Sequence, residues 1–191
     1  IKGFYDVGVS YLDNEEYNKA IDVFRKAIRR NPAIPQLHNA LGLALLRKSG
    51  SLKIAKPAFD KAIQLDPHYP EPYFNIGVFY AGTVKDPVLA IEQFEKAIKA
   101  DPGFAKAYMG LGWLYMEKED GYKAAEMFGK AVELDPQLLE AQYGLGLAYV
   151  AIKKNELALK PITALRIASR NDLAQAIETA IQEKKPEALT G

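Results

Sequence analysis

An eight-residue block that returns four times constrains this 191-residue chain more than any other feature. It reads RKAIRRNP at 25–32, DKAIQLDP at 60–67, EKAIKADP at 95–102 and GKAVELDP at 129–136. The closing prolines, Pro32, Pro67, Pro102 and Pro136, are 35, 35 and 34 residues apart. A second marker keeps the same beat: Gly8, Gly42, Gly77, Gly112 and Gly146 are spaced 34, 35, 35 and 34. A period of this length signals an array in which each repeat buries its apolar face only against its neighbours.

Between the markers the apolar spacing is helical. Phe4, Val7, Gly8 and Tyr11 fall at i, i+3, i+4 and i+7, one face of a helix. Ala20, Phe24 and Ala27 mark the inner face of a second helix, which Asn31-Pro32 ends because a residue before proline is pushed out of the α region. The spacing predicts helices over 1–12 and 15–30, and five such pairs at approximately 1–34, 35–69, 70–104, 105–138 and 139–170. In the second pair Pro57 lies early in the second helix and is expected either to be accommodated near the first turn or to cause a kink. In the third, Asp86-Pro87 reads as an N-cap followed by proline at the first helical position. The fifth pair drifts: Pro161 interrupts its second helix and Leu165 stands where Ala is expected. An amphipathic helix at about 172–184 follows, with Asp172 and Gln175 as a capping box, and a tail at 185–191. It is expected to cap the array, with coverage of the array's own inner face as the alternative. The whole chain, 1–191, reads as one domain.

These residues resemble the tetratricopeptide repeat (TPR). The family's order of aromatic, aliphatic-Gly, Tyr, Ala, Phe, Ala and Pro is met almost position for position in repeats one, three and four. Repeat two departs with His38 in place of the opening aromatic, and repeat five keeps only its first helix intact. The resemblance implies an all-α fold, a right-handed α-solenoid (superhelix) of antiparallel helix pairs whose first helices line a concave groove. It also implies protein–protein interaction and not chemistry. Some members hold a C-terminal carboxylate in a clamp of basic and amide side chains. Asn75 and Lys106 match two of its elements, but Asn39, Leu43 and Gly110 stand where the others belong, so the clamp is not expected.

The informative positions are those that the repeat does not require. A face rotated by one residue, roughly 100°, from the core face of each first helix should look into the groove. Its residues are Tyr5, Val9 and Leu12; Asn39, Leu43 and Leu46; Phe74, Val78 and Ala81; Met109, Trp113 and Met116; and Tyr143, Leu147 and Val150. Fourteen of these fifteen are apolar or aromatic. An exposed strip of this kind is an interaction surface, fitted to an apolar helix or extended peptide of a partner. Trp113, flanked by Met109 and Met116, is the expected anchor. The competing reading is that superhelical twist closes these side chains against the next repeat.

Bulk properties exclude other roles. Net charge is +1, from 25 basic and 24 acidic residues, so no electropositive field favours nucleic acid or an anionic membrane surface. No Cys is present, which removes disulfides, thiolate metal sites and a Cys nucleophile. It leaves cytosol and periplasm equally open. No apolar run approaches the length that spans a bilayer. His38 and His68 stand without ligand spacing, so no metal site is expected, and no phosphate loop or nucleophile elbow points to a cofactor or to catalysis.

Two classes remain. The first is a non-enzymatic binding module or scaffold, by resemblance one serving a bacterial envelope, pilus or secretion assembly, with a homo-oligomeric scaffold as a variant. The second is a substrate-presenting domain of a larger enzyme, such as a TPR-bearing glycosyltransferase. The chain opens at Ile1 without an initiator Met, so removal of an upstream signal peptide, anchor or further protein is expected.

Overall fold

The computed structural model describes residues 2–183, the side chain of Lys2 excepted. Ile1, Lys184 and the 185–191 tail lie outside the described residues. Eleven α-helices occur among them: α1 (Lys2–Asp13), α2 (Tyr17–Arg30), α3 (Pro35–Ser49), α4 (Leu52–Leu65), α5 (Glu71–Phe79), α6 (Pro87–Ala100), α7 (Ala105–Glu117), α8 (Gly121–Leu134), α9 (Leu139–Ala151), α10 (Leu159–Ile167) and α11 (Asn171–Glu183). The described residues contain no strand, and the fold is an all-α solenoid of helix pairs. Two compact units divide the chain, Ile1–Pro102 and Gly103–Gly191.

Each pair is locked by a glycine against a phenylalanine. Phe24, Phe59, Phe94 and Phe128 are 0–2 % exposed. A Cβ built on Gly8, Gly42, Gly77 or Gly112 would lie 2.3, 2.7, 2.7 or 2.8 Å from the ring of its own repeat. No side chain fits there, so the backbones approach closely at the expense of roughly 1 kcal/mol of helix propensity per glycine. The fifth repeat solves the problem differently. Ile162 stands where Phe is found elsewhere, and Gly146 instead meets Ile177 of α11, whose Cδ1 would be 2.4 Å from an added Cβ. Ala174 and Ile177 are buried, and α11 packs on both α9 and α10. The terminal helix therefore supplies the side chain that its own repeat lacks.

The asparagine or aspartate before each closing proline ends the second helix. The backbone N–H of Asn31, Asp66, Asp101 and Asp135 donates to the carbonyl of Ala27, Ala62, Ala97 and Ala131 in turn. The carboxylates of Asp66 and Asp135 also accept from the N–H two residues on, at 2.9 and 3.0 Å, an Asx turn across the proline. Where the opening aromatic is replaced, the substitute bonds back to this junction. His38 Nε2–H donates to the Pro32 carbonyl at 2.8 Å, and Gln142 Nε2 donates to that of Pro136 at 3.2 Å.

The turns inside the pairs are of three kinds. In repeats one, four and five a non-glycine residue, Glu15, Glu119 or Lys153, adopts φ of 58–59°. The next N–H reaches back to the carbonyl of Tyr11, Tyr115 or Tyr149 at 2.8–2.9 Å, which satisfies an orphan helix acceptor. A left-handed L-residue costs roughly 1–2 kcal/mol. Glu119→Gly should therefore raise stability by about 0.5–1 kcal/mol, seen as a higher urea midpoint. Repeats two and three carry one extra residue between the marker glycine and alanine. The second places it in a loop with Gly50 at φ 61°. The third takes it up as a π turn over Tyr80–Val84, closed by Asp86 N–H on the Tyr80 carbonyl at 2.9 Å. Asp86 then caps α6, its carboxylate accepting from the Val88 and Leu89 N–H groups at 3.0 Å each. Asp86→Ala should cost about 1 kcal/mol, read by the same denaturation.

Pro57 lies at the sixth position of α4, just past its first turn and on the exposed side, and the helix continues through it. Two other expectations about local structure need correction. Pro161 does not interrupt a helix. A 3₁₀ turn over Asn155–Ala158 leads into α10, and Pro161 is buried in its first turn, where an N–H has no intrahelical partner to lose. Asp172 and Gln175 form no capping box. Arg170 binds Asp172 through two hydrogen bonds of 2.8–3.0 Å, and this pairing, first among the causes, holds the carboxyl down to about 2.

Candidate functional site

In the first unit the rotated faces of α1, α3 and α5 carry the expected residues, but not as an open strip. Leu12, Asn39 and Leu46 are buried. Tyr5, Val9, Leu43, Phe74, Asn75 and Ala81 are half-buried, and Val78 is 47 % exposed. Tyr5 leans on Phe24 with ring centroids 6.3 Å apart, and Phe74 on Phe94 at 5.7 Å. The same rings that hold each pair together thus set the orientation of its surface aromatics.

A polar cluster lies within this apolar surface. Asn75 Nδ2 donates to Asn39 Oδ1 at 3.0 Å, and Asn39 Nδ2 donates to the Tyr69 phenol oxygen at 3.4 Å. Burial, reinforced by the charge of Glu71, pushes the Tyr69 phenol well above its ordinary range. Tyr5 is raised by burial first, then by Glu71 and Asp6. Both phenols keep their protons at neutral pH, and in this cluster the Tyr69 oxygen is the acceptor. Sequence reading missed Tyr69, which sits in an inter-repeat turn and meets Asn39 across 30 residues; no local pattern marks such a pair.

In the second unit the candidate residues of α7 and α9 come together. Trp113 packs edge-on against Phe128, centroids 5.0 Å apart at 77°, and tilts against Tyr143 at 6.2 Å. Met109 and Met116 rest on the same cluster around Phe128, Leu145 and Ala148. All four side chains stay half-buried. Val150 is 2 % exposed, and Tyr143 and Leu147 pack against the cluster that it forms with Ile162, Leu165 and Ile177. The α11 helix thus helps to seal the end of this face and leaves Trp113 half-exposed. Lys106 is solvent-exposed one helical turn before Met109.

A separate cleft of about 540 Å³ opens between α8, α9 and the start of α10, floored by Val132, Leu145 and Tyr149 with Gln142 at its wall. It includes none of the fifteen strip residues. Among the described residues no helix is long and apolar enough to cross a membrane, and no group of three acidic, His or Cys side chains is placed to hold a metal.

Stacked helix hairpins that present aromatic and aliphatic side chains held from beneath define a helical-repeat interaction protein. The tetratricopeptide repeat matches residues 5–70 and 85–138, and the chain belongs to that family. A search of curated proteins finds no match. Among solved structures, the TPR protein TTC0263 of Thermus thermophilus is similar with a TM-score of 0.71 at 21% identity, over 95% of this chain and 98% of that one. MamA of Desulfovibrio magneticus, from residue 41 on, aligns at 0.60 and 25% identity, over 90% and 96%. YrrB, described as a TPR protein with an unusual peptide-binding site, aligns at 0.59 and 20%, over 92% and 90%. The fold is that of a protein–protein interaction scaffold, and TPR proteins are generally non-catalytic.

Proposed function

We propose that this protein is a non-enzymatic scaffold that binds an apolar helix or extended segment of a partner protein along its first helices, with Trp113 as the principal anchor. The observation that carries this reading is the seating of the indole. Its ring is fixed by Phe128 and Tyr143 at 5.0 and 6.2 Å yet remains half-exposed between two methionines. A large ring already held in place loses little rotamer freedom on binding, and the flanking methionines adapt to the partner's shape. Within the first unit, taken by itself, Val9, Leu43, Phe74 and Val78 form an apolar surface of the same kind, and Asn75 offers an amide that Asn39 orients. The peptide-binding site ascribed to YrrB is consistent with this use of the fold. The setting we infer, a bacterial envelope, pilus or secretion assembly, rests on resemblance alone.

The test is capture. Immobilised wild type retains its partner, whereas Trp113→Ala combined with Met109→Ala loses it while keeping the helical circular dichroism. Undiminished capture by the double variant would move binding to another face.

A further inference from the structure

The four blocks that close the second helices share one backbone design but not one charge. The first, RKAIRRNP, carries net +4, against −1, 0 and −1 for DKAIQLDP, EKAIKADP and GKAVELDP. Arg25 stands where the later repeats have Asp60, Glu95 and Gly129, and Arg29 where they have Gln64, Lys99 and Glu133. Arg30 replaces Leu65, Ala100 and Leu134, and Asn31 replaces an aspartate. All four blocks end their helix in the same way, so the fold does not ask for these cations.

On α2 they lie outside the buried stripe of Ala20, Phe24 and Ala27. Arg25, Lys26, Arg29 and Arg30 are all exposed, and none enters an ion pair among the described residues. Arg25 with Arg29, and Lys26 with Arg30, are like charges four positions apart, which weakens a helix slightly. The helix dipole favours the two in the last turn and gives Arg25 and Lys26 no such support. Anions are scarce around them: Asp22 is the only one on α2, α1 brings Asp6 and Asp13, and α3 carries none. The Arg30 guanidinium sits 4.9 Å from the Phe4 ring centroid, so one cation of the group is held in place before anything binds.

We infer that the outer face of α2 docks an acidic segment, rich in Asp and Glu, of a protein partner. Residues four apart on a helix are separated by about 6 Å along its axis, close to the roughly 6.6 Å between alternate residues of an extended chain. Alternate carboxylates of such a segment therefore meet Arg25 and Arg29 in turn, each in the bidentate geometry that guanidinium favours. Lys26 and Arg30 form a second row beside the first. The chain as a whole has net charge +1, without the wide positive field that nucleic acid or an anionic membrane selects. Trp113 belongs to α7 and takes no part, so this site stands or falls separately from the apolar one.

The probe is a fluorescein-labelled octaglutamate peptide, whose anisotropy is followed during titration with the full chain. Binding should appear at low salt with a dissociation constant below about 100 μM. It should weaken at least about tenfold as ionic strength rises from about 0.05 to about 0.5 M, because the charges are exposed and screened. Arg25→Glu combined with Arg29→Glu installs the residues that the third and fourth repeats carry at those places, which keeps the helix, and should weaken binding at least about tenfold. Arg29→Glu alone should cost more affinity than Lys99→Glu, the same charge change at the equivalent place on α6, and Trp113→Ala should cost none. No binding below that concentration, or equal losses at Arg29 and Lys99, would overturn the site. Tighter binding of phosphatidylserine vesicles or duplex DNA through the same arginines would overturn its assignment to an acidic protein segment.

Discussion

Phe128→Ala should destabilise the second unit by about 3–5 kcal/mol, the range for emptying a fully buried aromatic site. The ring is 0% exposed, and it is contacted from three directions. An added Cβ would lie 2.8 Å from it at Gly112 and 2.4 Å at Gly144, and the Trp113 ring packs on it at 5.0 Å. Removing it opens a void that two glycine backbones cannot fill. Gly112→Ala in the wild type should also destabilise, because forcing a methyl group into a packed core costs about 1–3 kcal/mol and exceeds the roughly 1 kcal/mol gained in helix propensity. In the Phe128→Ala background the obstruction is gone, and the same substitution should stabilise by about 1 kcal/mol. Urea unfolding of the four proteins, followed by circular dichroism and by Trp113 fluorescence, reads this reversal of sign. Two probes are needed because repeat arrays can lose cooperativity. A Gly112→Ala change that stabilises in both backgrounds would mean that the glycine is not held by the ring.

The second large effect concerns binding. Trp113→Ala should weaken the partner complex by about 2–4 kcal/mol, roughly 30- to 1,000-fold. Part of any loss could come from the support that Trp113 shares with Phe128, so Trp113→Phe serves as the companion. It keeps a ring over Phe128 and should retain most of the stability while losing an intermediate share of the affinity. Tyr122→Ala, at a side chain 67% exposed on α8, should leave affinity within about twofold, as neutral surface positions do. Equal losses at Trp113 and Tyr122 would remove the anchor.

The helix pairs were legible in the sequence because what creates them is local and repeated. Gly at one position and Phe sixteen or seventeen residues later appear in four repeats, and the Asp-Pro junction carries its own turn chemistry. Where this lattice fails, so does the reading. Nothing local says that Ile177 would occupy the place against Gly146, since that contact joins α11 to α9 around a shortened α10. The extra residue in repeats two and three was visible as a count, but the count does not say that one repeat closes on left-handed Gly50 and the other on a π turn that ends at left-handed Lys85.

The candidate surface was legible to a lesser degree. Rotation by one residue correctly names a face of an ideal helix, and it brought Met109, Trp113, Met116 and Tyr143 together. It does not say how far the neighbouring hairpin overlaps that face. Leu12, Asn39 and Val150 fall on the overlapped part and are buried, so the accessible surface is narrower than fifteen residues. The Asn39–Tyr69–Asn75 cluster joins side chains 30 and 36 positions apart, a pairing that only the folded stack creates.

The most direct measurement of the central claim is the emission of Trp113, the single tryptophan of the chain, during titration with a captured partner. A partner that covers the indole should shift its emission to shorter wavelength, saturating at the stoichiometry that calorimetry finds for the same complex. Calorimetric binding with unaltered Trp113 emission would contradict the account, because the partner would then be docking without touching the ring that the fold holds in place.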